Sequence, residues 1–366
     1  MLVMIFVNDV SGVNGLPWWT YHMPSGQNGM TYVDVVFPAF LFIVGLSIPL
    51  AVRKRLEQGD SMPKLWGHIL MRSVSLVVLG LVLANAGYVD AAATGLRSSV
   101  WALLALFGGI LVWLVYPGKQ LVYGVLKYGG LALLLAMLAI FRRSTPGGTA
   151  WLDFSYWEIL GLIGKAYLAA CILYVPFRKN VAALWIWFVA LNALNIATRI
   201  GLPAPGNFVP YGLWVFDSGE HTSIVMAGIL TSLLFINTGR TREALGFAAG
   251  LFAAGWALSS LGIQKNAATP TWCLYSAGIS VLLFLLIYWM ADVRGWHRWA
   301  AFVKPAGSNT LLTYLLPDVY YFATMALAIT MPRLTGWTGV VRSLVFTGCI
   351  LGVSYVLTRL KIRMQL

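Results

Sequence analysis

The sequence predicts an all-α, polytopic integral membrane protein, a helical bundle, and three observations favour that fold class. Apolar residues make up 59% of the 366 residues, whereas charged residues make up 10%. The mean hydropathy is +0.78. Soluble domains carry about 25% charged residues, so a chain this apolar needs the lipid bilayer as its partner. The apolar residues also form runs of the length that a spanning helix requires.

In chain order, these runs predict spanning helices at 1–13, 31–52, 67–87, 98–116, 120–141, 157–176, 182–199, 222–238, 244–262, 272–291, 308–330 and 339–358. The first run has only seven uninterrupted apolar residues before Asn8. It is either a stub or the end of a helix that begins upstream of Met1, and we favour a truncated N-terminus. We therefore expect 11–12 transmembrane helices in a single domain over residues 1–366.

The distribution of Lys and Arg predicts the orientation. Seventeen of them fall in alternate loops and at the C-terminus, seven fall on the other side, and Lys165 lies within a span. Because cytoplasmic loops are enriched in these residues, both ends should be cytoplasmic and His22 should face outward. The same distribution explains the net charge of +13 without nucleic acid as a partner.

A polar segment between the first two spans carries the main candidate residues. Asn8, Asp9, His22, Asn28 and Asp34 all lie at or just inside an apolar boundary, where ionisable groups usually mark a site. Because the connecting chain is short, we expect Asn8, Asp9, His22 and Asp34 to gather at one outer mouth.

Each of these residues has a functional and a structural interpretation. His22 can accept a proton from an amine or carry an acyl group, or it can simply be an interfacial histidine bonded to a loop. Asn8 can donate to a carbonyl or an oxyanion, or it can pack between helices. Asp34 can orient His22, or it can start a helix, where a carboxylate is favourable.

Charged residues elsewhere add further candidates. Asp217, Glu220 and His221 precede the eighth span, where they either hold a cationic amine or form a solvated helix start. Lys165 and Asp318 lie within spans, and charges at that depth usually face a partner or a water-filled cavity. Pro317, next to Asp318, predicts a broken helix. The three cysteines have no metal-ligand spacing, so we expect no metal.

Four segments, FVNDVSG, TYHMP, QNGMT and YVDVVFPAFLFIVGLSI, resemble the heparan-α-glucosaminide N-acetyltransferase family and its bacterial relatives. Weaker matches follow in the same order, in WEILGLIGKAYLAAC, TSIVMAGILTS, PTWCLYSAGIS and GSNTLLTYLL. The sequence departs from the family where Pro317-Asp318 replaces a His-Glu pair that relatives can carry. A further departure is 98–141, which resembles an inserted helical hairpin.

The resemblance implies an acyltransferase that takes acetyl-CoA, as a cosubstrate, from the cytoplasm and acetylates an amino sugar or oligosaccharide on the far side. It implies His22 as the catalytic histidine, Asn8 as the partner of the acetyl group and Asp34 as a supporting carboxylate. The expected substrate or cofactor contacts are Asp9, Asn28, Lys165, Ser223, Trp272, Asn309 and Asp318. Loop cations such as Arg240, Arg242 or Lys304 would hold the CoA nucleotide. The expected location is the inner membrane of a bacterium. The oligomeric state stays open, with a homodimer as one option.

Two other functions stay open at this point. A transporter or flippase for a glycan or lipid precursor fits twelve spans with buried charges. An O-acetyltransferase of a surface polysaccharide would keep the donor and change the acceptor. A transporter would move its substrate without consuming acetyl-CoA, whereas an N-acetyltransferase and an O-acetyltransferase would both consume it.

Overall fold

The computed structural model describes residues 1–118, 120–203, 205–209, 214–236, 240–330, 332 and 334–366. These residues form fourteen α-helices and one β-hairpin. The helices are α1 (Leu2–Val10), α2 (Val33–Glu57), α3 (Met62–Ala86), α4 (Ala91–Thr94), α5 (Ser98–Trp113), α6 (Leu121–Ile140), α7 (Glu158–Phe177), α8 (Val181–Arg199), α9 (Glu220–Thr231), α10 (Thr241–Ala257), α11 (Pro270–Tyr288), α12 (Lys304–Ser308), α13 (Thr310–Ala326) and α14 (Gly336–Arg359). The hairpin pairs β1 (Arg143–Thr145) with β2 (Gly148–Ala150).

The predicted all-α membrane fold is confirmed. Each of the twelve apolar runs coincides with a helix, and within the described residues seven helices are long and apolar enough to cross a membrane. These are α2, α3, α6, α7, α8, α11 with the turn after it, and α14. The other five, α1, α5, α9, α10 and α13, are shorter. The predicted orientation stays a prediction, and Lys119 and Arg333, two of the charges counted for it, lie outside the described residues.

The chain forms two compact units. The first unit comprises Met1–Leu16, Val78–Gly161 and Arg298–Leu366, and the second comprises Pro17–Val77 and Leu162–His297. The single functional domain that we expect over residues 1–366 stays a prediction.

In the first unit, α5 and α6 pack against each other as a helical hairpin. The indole Nε1 of Trp101 donates to the carbonyl of Met137 at 2.7 Å, and its ring lies 4.9 Å from that of Phe141. Trp101 is fully buried, so this bond ties the start of α5 to the end of α6. The hairpin matches the predicted segment 98–141, whereas its origin as an insertion stays a prediction.

Helices α1, α12, α13 and α14 also belong to the first unit, as do α4, the β-hairpin and the C-terminal part of α3. Ile5 of α1 packs with Ala306, Ile350 and Leu351 in one apolar cluster. Helix α13 continues through Pro317, so the predicted break there is wrong. A proline removes a single backbone hydrogen bond, and neighbouring helices and side chains in a membrane bundle can compensate for that loss.

The second unit is built around α9, which packs against α2, α8 and α11. Every residue of α9 from Thr222 to Thr231 is buried. Glycines bring α2 and α9 close together, because a Cβ on Gly45 would lie 2.0 Å from the Val225 carbonyl oxygen. A Cβ on Gly228 would likewise lie 2.1 Å from the carbonyl oxygen of Phe42. This close approach fixes the position of α2, which carries Asp34 in its first turn.

Candidate functional site: a histidine between a carboxylate and an ammonium group

His22 and Asp34 are in contact within the second unit. His22 lies in the loop before α2, and its Nδ1 lies 2.7 Å from Oδ1 of Asp34. The Asp34 side chain is 0% exposed. Its second oxygen, Oδ2, accepts from the backbone N–H groups of Thr31 at 2.9 Å and Met23 at 3.2 Å. These bonds hold the carboxylate in one orientation.

This arrangement determines which nitrogen of His22 is free. A carboxylate can only accept, so Nδ1 of His22 carries the proton that is donated to Asp34. Nε2 is then available to take a proton from another molecule. The His22 side chain is 39% exposed, so a substrate can reach it. A buried carboxylate that orients an accessible imidazole is a common arrangement for a general base.

Lys265 completes the cluster. Its Nζ lies 3.2 Å from both ring nitrogens of His22. Lys265 is partly buried in the loop before α11. Burial lowers the pKa of the Lys265 ammonium, and the charge of Asp34 opposes this shift. The cluster therefore places a buried anion and a partly desolvated cation beside the same imidazole ring.

Sequence reasoning missed the role of Lys265 at His22. Two signals could have pointed to it. Lys265 is one of only seven Lys and Arg residues on the predicted outer side. It also lies seven residues before Trp272, which belongs to a segment that resembles the family.

Asn28 and Trp272 hold the two loops of this cluster in place. The Asn28 side-chain oxygen accepts from the backbone N–H of Ile263 at 2.7 Å, two residues before Lys265. The N–H of Gly29 donates to the carbonyl of Ile263 at 2.9 Å. Trp272 is fully buried, and its Nε1 lies 3.3 Å from the backbone oxygen of Asp34. In this structure both predicted contact residues, Asn28 and Trp272, bond to the protein itself.

A second ionisable cluster in this unit contains Lys165, Asp217, Glu220 and His221. Lys165 is buried and donates to the Asp217 carboxylate. Burial raises the pKa of Asp217, and the Lys165 ammonium opposes that rise. His221 Nδ1 lies 3.5 Å from Oε1 of Glu220, and the imidazole ring contacts Phe37 of α2. The charge of Lys165 thus has a partner, as the sequence predicts for a lysine at that depth.

The same cluster has the spacing of a metal site. One ligand atom each from Asp217, Glu220 and His221 lie within 4.8 Å of one another. The Lys165 ammonium already occupies the Asp217 carboxylate, so it would compete with a metal ion there. Ser223, the remaining candidate in this region, is buried and donates to the carbonyl of Glu220 at 2.8 Å.

In the first unit, Asn8 and Asp318 line a cavity of about 110 Å³. Glu158 and Tyr314 line it as well, and the Tyr314 hydroxyl donates to Glu158 Oε1 at 2.8 Å. Asn8 is exposed and Asp318 is partly buried. The cavity is rich in carboxylates and carries the Asn8 amide at its edge.

Asp9 lines this cavity too, but its charge is balanced within the first unit. Arg342 Nη2 lies 2.9 Å from Asp9 Oδ2, and the Tyr321 hydroxyl donates to Oδ1. The predicted convergence of Asn8 and Asp9 on His22 and Asp34 stays a prediction, because the two pairs belong to different units.

Asn309 serves the architecture of the first unit. Its side chain is fully buried and donates to the carbonyl of Ile362 at 3.0 Å. Its Oδ1 accepts from the backbone N–H of Met364 at 3.1 Å. The nitrogen and the oxygen of the Asn309 amide thus both bind the segment that follows α14. The expected place of Asn309 on a substrate path stays a prediction.

The fold and the His22 cluster define a polytopic helical membrane protein with a site equipped for proton transfer. The chain belongs to the family described as Domain of unknown function (DUF5009), which matches residues 1–200. It is also similar to heparan-alpha-glucosaminide N-acetyltransferase of Mus musculus, with 40% identity over 88 residues, and of Homo sapiens, with 38% over 88 residues.

Each of these two matches covers 24% of this chain. They cover 13% of the mouse protein and 12% of the human protein, about one eighth of each relative. The predicted resemblance to this family of acetyltransferases is confirmed, and it supports a transmembrane acetyltransferase.

Proposed function

We propose that this protein transfers an acetyl group from acetyl-CoA to the amine of a glucosamine-type sugar across a membrane. The observation that carries the proposal is the His22 cluster, in which Asp34 holds Nδ1, so that the lone pair is on Nε2, with Lys265 Nζ 3.2 Å from it. The similarity to two N-acetyltransferases supports the reaction class. We place the protein in the inner membrane of a bacterium, with the donor on the cytoplasmic side and His22 on the other.

The reaction needs one general base, and its atoms and charges balance with acetyl-CoA, the sugar amine and His22. The uncharged amine of the sugar attacks the carbonyl carbon of the thioester, and His22 Nε2 takes a proton from the attacking nitrogen. The new C–N bond forms, the C–S bond breaks, and the imidazolium returns its proton to the CoA thiolate. The same geometry serves a path in which Nε2 attacks first and carries the acetyl group to the amine.

Lys265 provides a positive charge that can stabilise the transition state of this reaction. Attack on the thioester puts negative charge on its carbonyl oxygen, and a fixed cation near that oxygen stabilises the transition state. The Lys265 ammonium lies against the His22 ring, so it is near any carbonyl that reacts at Nε2. We assign the stabilisation of this oxyanion to the Lys265 ammonium. The role that the resemblance gives to Asn8, at the same acetyl group, stays a prediction.

The test is acetyl transfer by purified protein, with His22→Ala as the variant and His297→Ala as its matched control. His297 is exposed and belongs to the same unit. We expect His22→Ala to lose at least about 100-fold in kcat, the low end of what general-base catalysis contributes. It should remain folded and keep its affinity for CoA. The His297→Ala variant should match the wild type.

Full activity of His22→Ala would overturn the assignment of the base. If folded wild-type protein neither binds CoA nor acetylates any of several amino sugars, a transporter or flippase becomes the better hypothesis. Acetylation of sugar hydroxyl groups in place of amines would instead identify an O-acetyltransferase.

A further inference from the structure

A cavity of about 490 Å³ lies in the second unit, towards the C-terminal end of α2. Among the described residues, three cationic side chains line it, Arg53, Arg178 and Lys179, together with a single carboxylate, Glu57. Asp34 and His22 are at the other end of α2. Fifteen residues separate Asp34 from Pro49, where the cavity begins, which corresponds to about 22 Å along the helix axis.

The cations of this cavity are available to a ligand. Arg53 Nε lies 3.6 Å from Glu57 Oε1, and both side chains are more than half exposed. Such surface pairs contribute little to stability and exchange readily. Arg178 donates from Nη1 to the carbonyl of Val175 at 2.7 Å, and within the described residues its other donors stay available. Lys179 is exposed. The cavity therefore has an excess of two positive charges.

The wall of the cavity is preformed. Tyr174 and Ser232 line it, and both residues are buried. Ser232 begins a π-helical turn, Ser232–Ile236, directly after α9. Single π-helical turns are rare and occur frequently at functional sites. Leucine side chains provide an apolar surface beside the charges, which suits a ligand that joins phosphates to a flat ring.

We propose that this cavity binds phosphate groups, and that its ligand is the nucleotide end of the acyl donor. The inference rests on the proposed function, because it takes the donor to be acetyl-CoA. Arginine binds phosphate through two parallel hydrogen bonds, and two arginines flank this cavity. Its place at the far end of α2 lets the donor enter opposite the acceptor. The proposal replaces Arg240, Arg242 and Lys304 as the expected nucleotide contacts.

The experiment removes the exposed cations of the cavity by Arg53→Gln and Lys179→Gln, singly and together. Lys54→Gln is the matched control, since Lys54 follows Arg53 on the same helix and lies outside the cavity lining. Binding of CoA, of adenosine 3′,5′-bisphosphate and of pantetheine is measured by calorimetry in lipid-free detergent. Transfer is measured with acetyl-CoA and with acetyl-pantetheine, which lacks the nucleotide.

We expect the double variant to bind CoA and the bisphosphate about 10- to 100-fold more weakly, the effect of losing charged hydrogen bonds. Its KM for acetyl-CoA should rise by the same factor, while kcat and all constants for the pantetheine compounds stay unchanged. The Lys54→Gln variant should behave like the wild type. Equal CoA affinity in double variant and wild type would overturn the proposal.

A phospholipid headgroup offers the same phosphate chemistry, so a second arm separates the two sources. Nanodiscs of phosphatidylcholine are compared with nanodiscs that contain phosphatidylglycerol. If the anionic lipid raises the melting temperature of the wild type but not of the double variant, and CoA affinity does not change, the ligand is a lipid and the proposal falls. If CoA binding depends on the cavity while no transfer occurs, the site stands and the proposed function falls.

Discussion

A single imidazole is faced by a buried carboxylate and by a partly buried ammonium group. Asp34 fixes the Nδ1 side of His22, and Lys265 lies 3.2 Å from both ring nitrogens. The carboxylate determines that the lone pair of the imidazole is on Nε2. The ammonium places a positive charge near the carbonyl oxygen of a reacting thioester. These two effects can be separated by changing Lys265 alone.

We predict that Lys265→Gln lowers kcat by about 100- to 1,000-fold, the usual effect of removing one oxyanion donor. Activity of the wild type should fall as the pH rises through the pKa of Lys265. Burial lowers this pKa from its usual 10.5, so the decline begins at lower pH than for an exposed lysine. Lys265→Arg keeps its charge at any accessible pH, and it should retain activity and move the decline to higher pH. Rates measured from pH 6 to 10 check this.

The control for Lys265 is Lys64→Gln, because Lys64 is an exposed lysine of the same unit that pairs with Asp60. It should leave both kcat and the pH profile unchanged. If Lys265→Arg shows the same alkaline decline as the wild type, another group causes the decline, and the assignment of Lys265 to the oxyanion fails.

The separation between residues along the chain decides which parts of the His22 cluster sequence can reveal. His22 and Asp34 are 12 residues apart and share one loop and one helix start, so their contact is accessible to local reasoning. Lys265 is 243 residues away from His22, and the packing of α11 against α2 brings its loop there, together with the bonds of Asn28 and Gly29 to Ile263. For Asn309, the sequence shows a polar residue but not the Met364 and Ile362 backbone groups that its side chain binds.

At the scale of elements, the approach of α2 to α9 depends on two glycines. Gly45 and Gly228 face each other across this contact, and a Cβ on either would overlap a backbone carbonyl of the opposite helix. Backbone cannot move aside as a flexible side chain can. The contact also fixes the position of α2, which carries Asp34 at one end and at the other borders the basic cavity, the one lined by Arg53, Arg178 and Lys179.

We predict that Gly228→Ala forces α2 and α9 apart and lowers the free energy of unfolding by about 1–3 kcal/mol, the usual cost of overpacking. Gly246→Ala is the matched control, since a Cβ on Gly246 of α10 would have no atom of the described residues beyond its own helix turn within 4 Å. That change should be neutral or slightly stabilising, because alanine favours the helix. Melting temperatures in one detergent compare the two variants, and equal values would contradict the close contact between α2 and α9.

The pattern of apolar runs predicts helices well, because a backbone in lipid must satisfy its own hydrogen bonds. It predicts their ends less well. The first run predicts a span over 1–13, whereas α1 is only nine residues long. The fourth and eleventh runs likewise give helices of 16 and 17 residues. The backbone turns after α1 and α13 and becomes extended at Leu114 after α5, and the average hydropathy of a run does not register these changes.

At the scale of the whole molecule, the two ends of α2 give the protein a direction. The His22 cluster lies at its start, and the basic cavity borders its last turns. The excess of Lys and Arg in alternate loops predicts that the second of these ends is cytoplasmic. Acetyl-CoA should therefore be used from one side of the membrane only, and the sugar from the other.

We predict that sealed proteoliposomes with glucosamine inside and labelled acetyl-CoA outside accumulate labelled N-acetylglucosamine in their lumen. Molecules inserted with the cavity outward carry out this reaction, so mixed insertion lowers the yield without changing its location. Vesicles that contain His22→Ala should accumulate no labelled product. In detergent, where donor and sugar share one solution, the wild type should acetylate the sugar without separate compartments. Product that forms only when donor and sugar share one side would contradict transmembrane transfer, and uptake of unmodified sugar without loss of acetyl-CoA would favour a transporter. The experiment thus tests the direction that the charges and the two ends of α2 assign to this membrane protein.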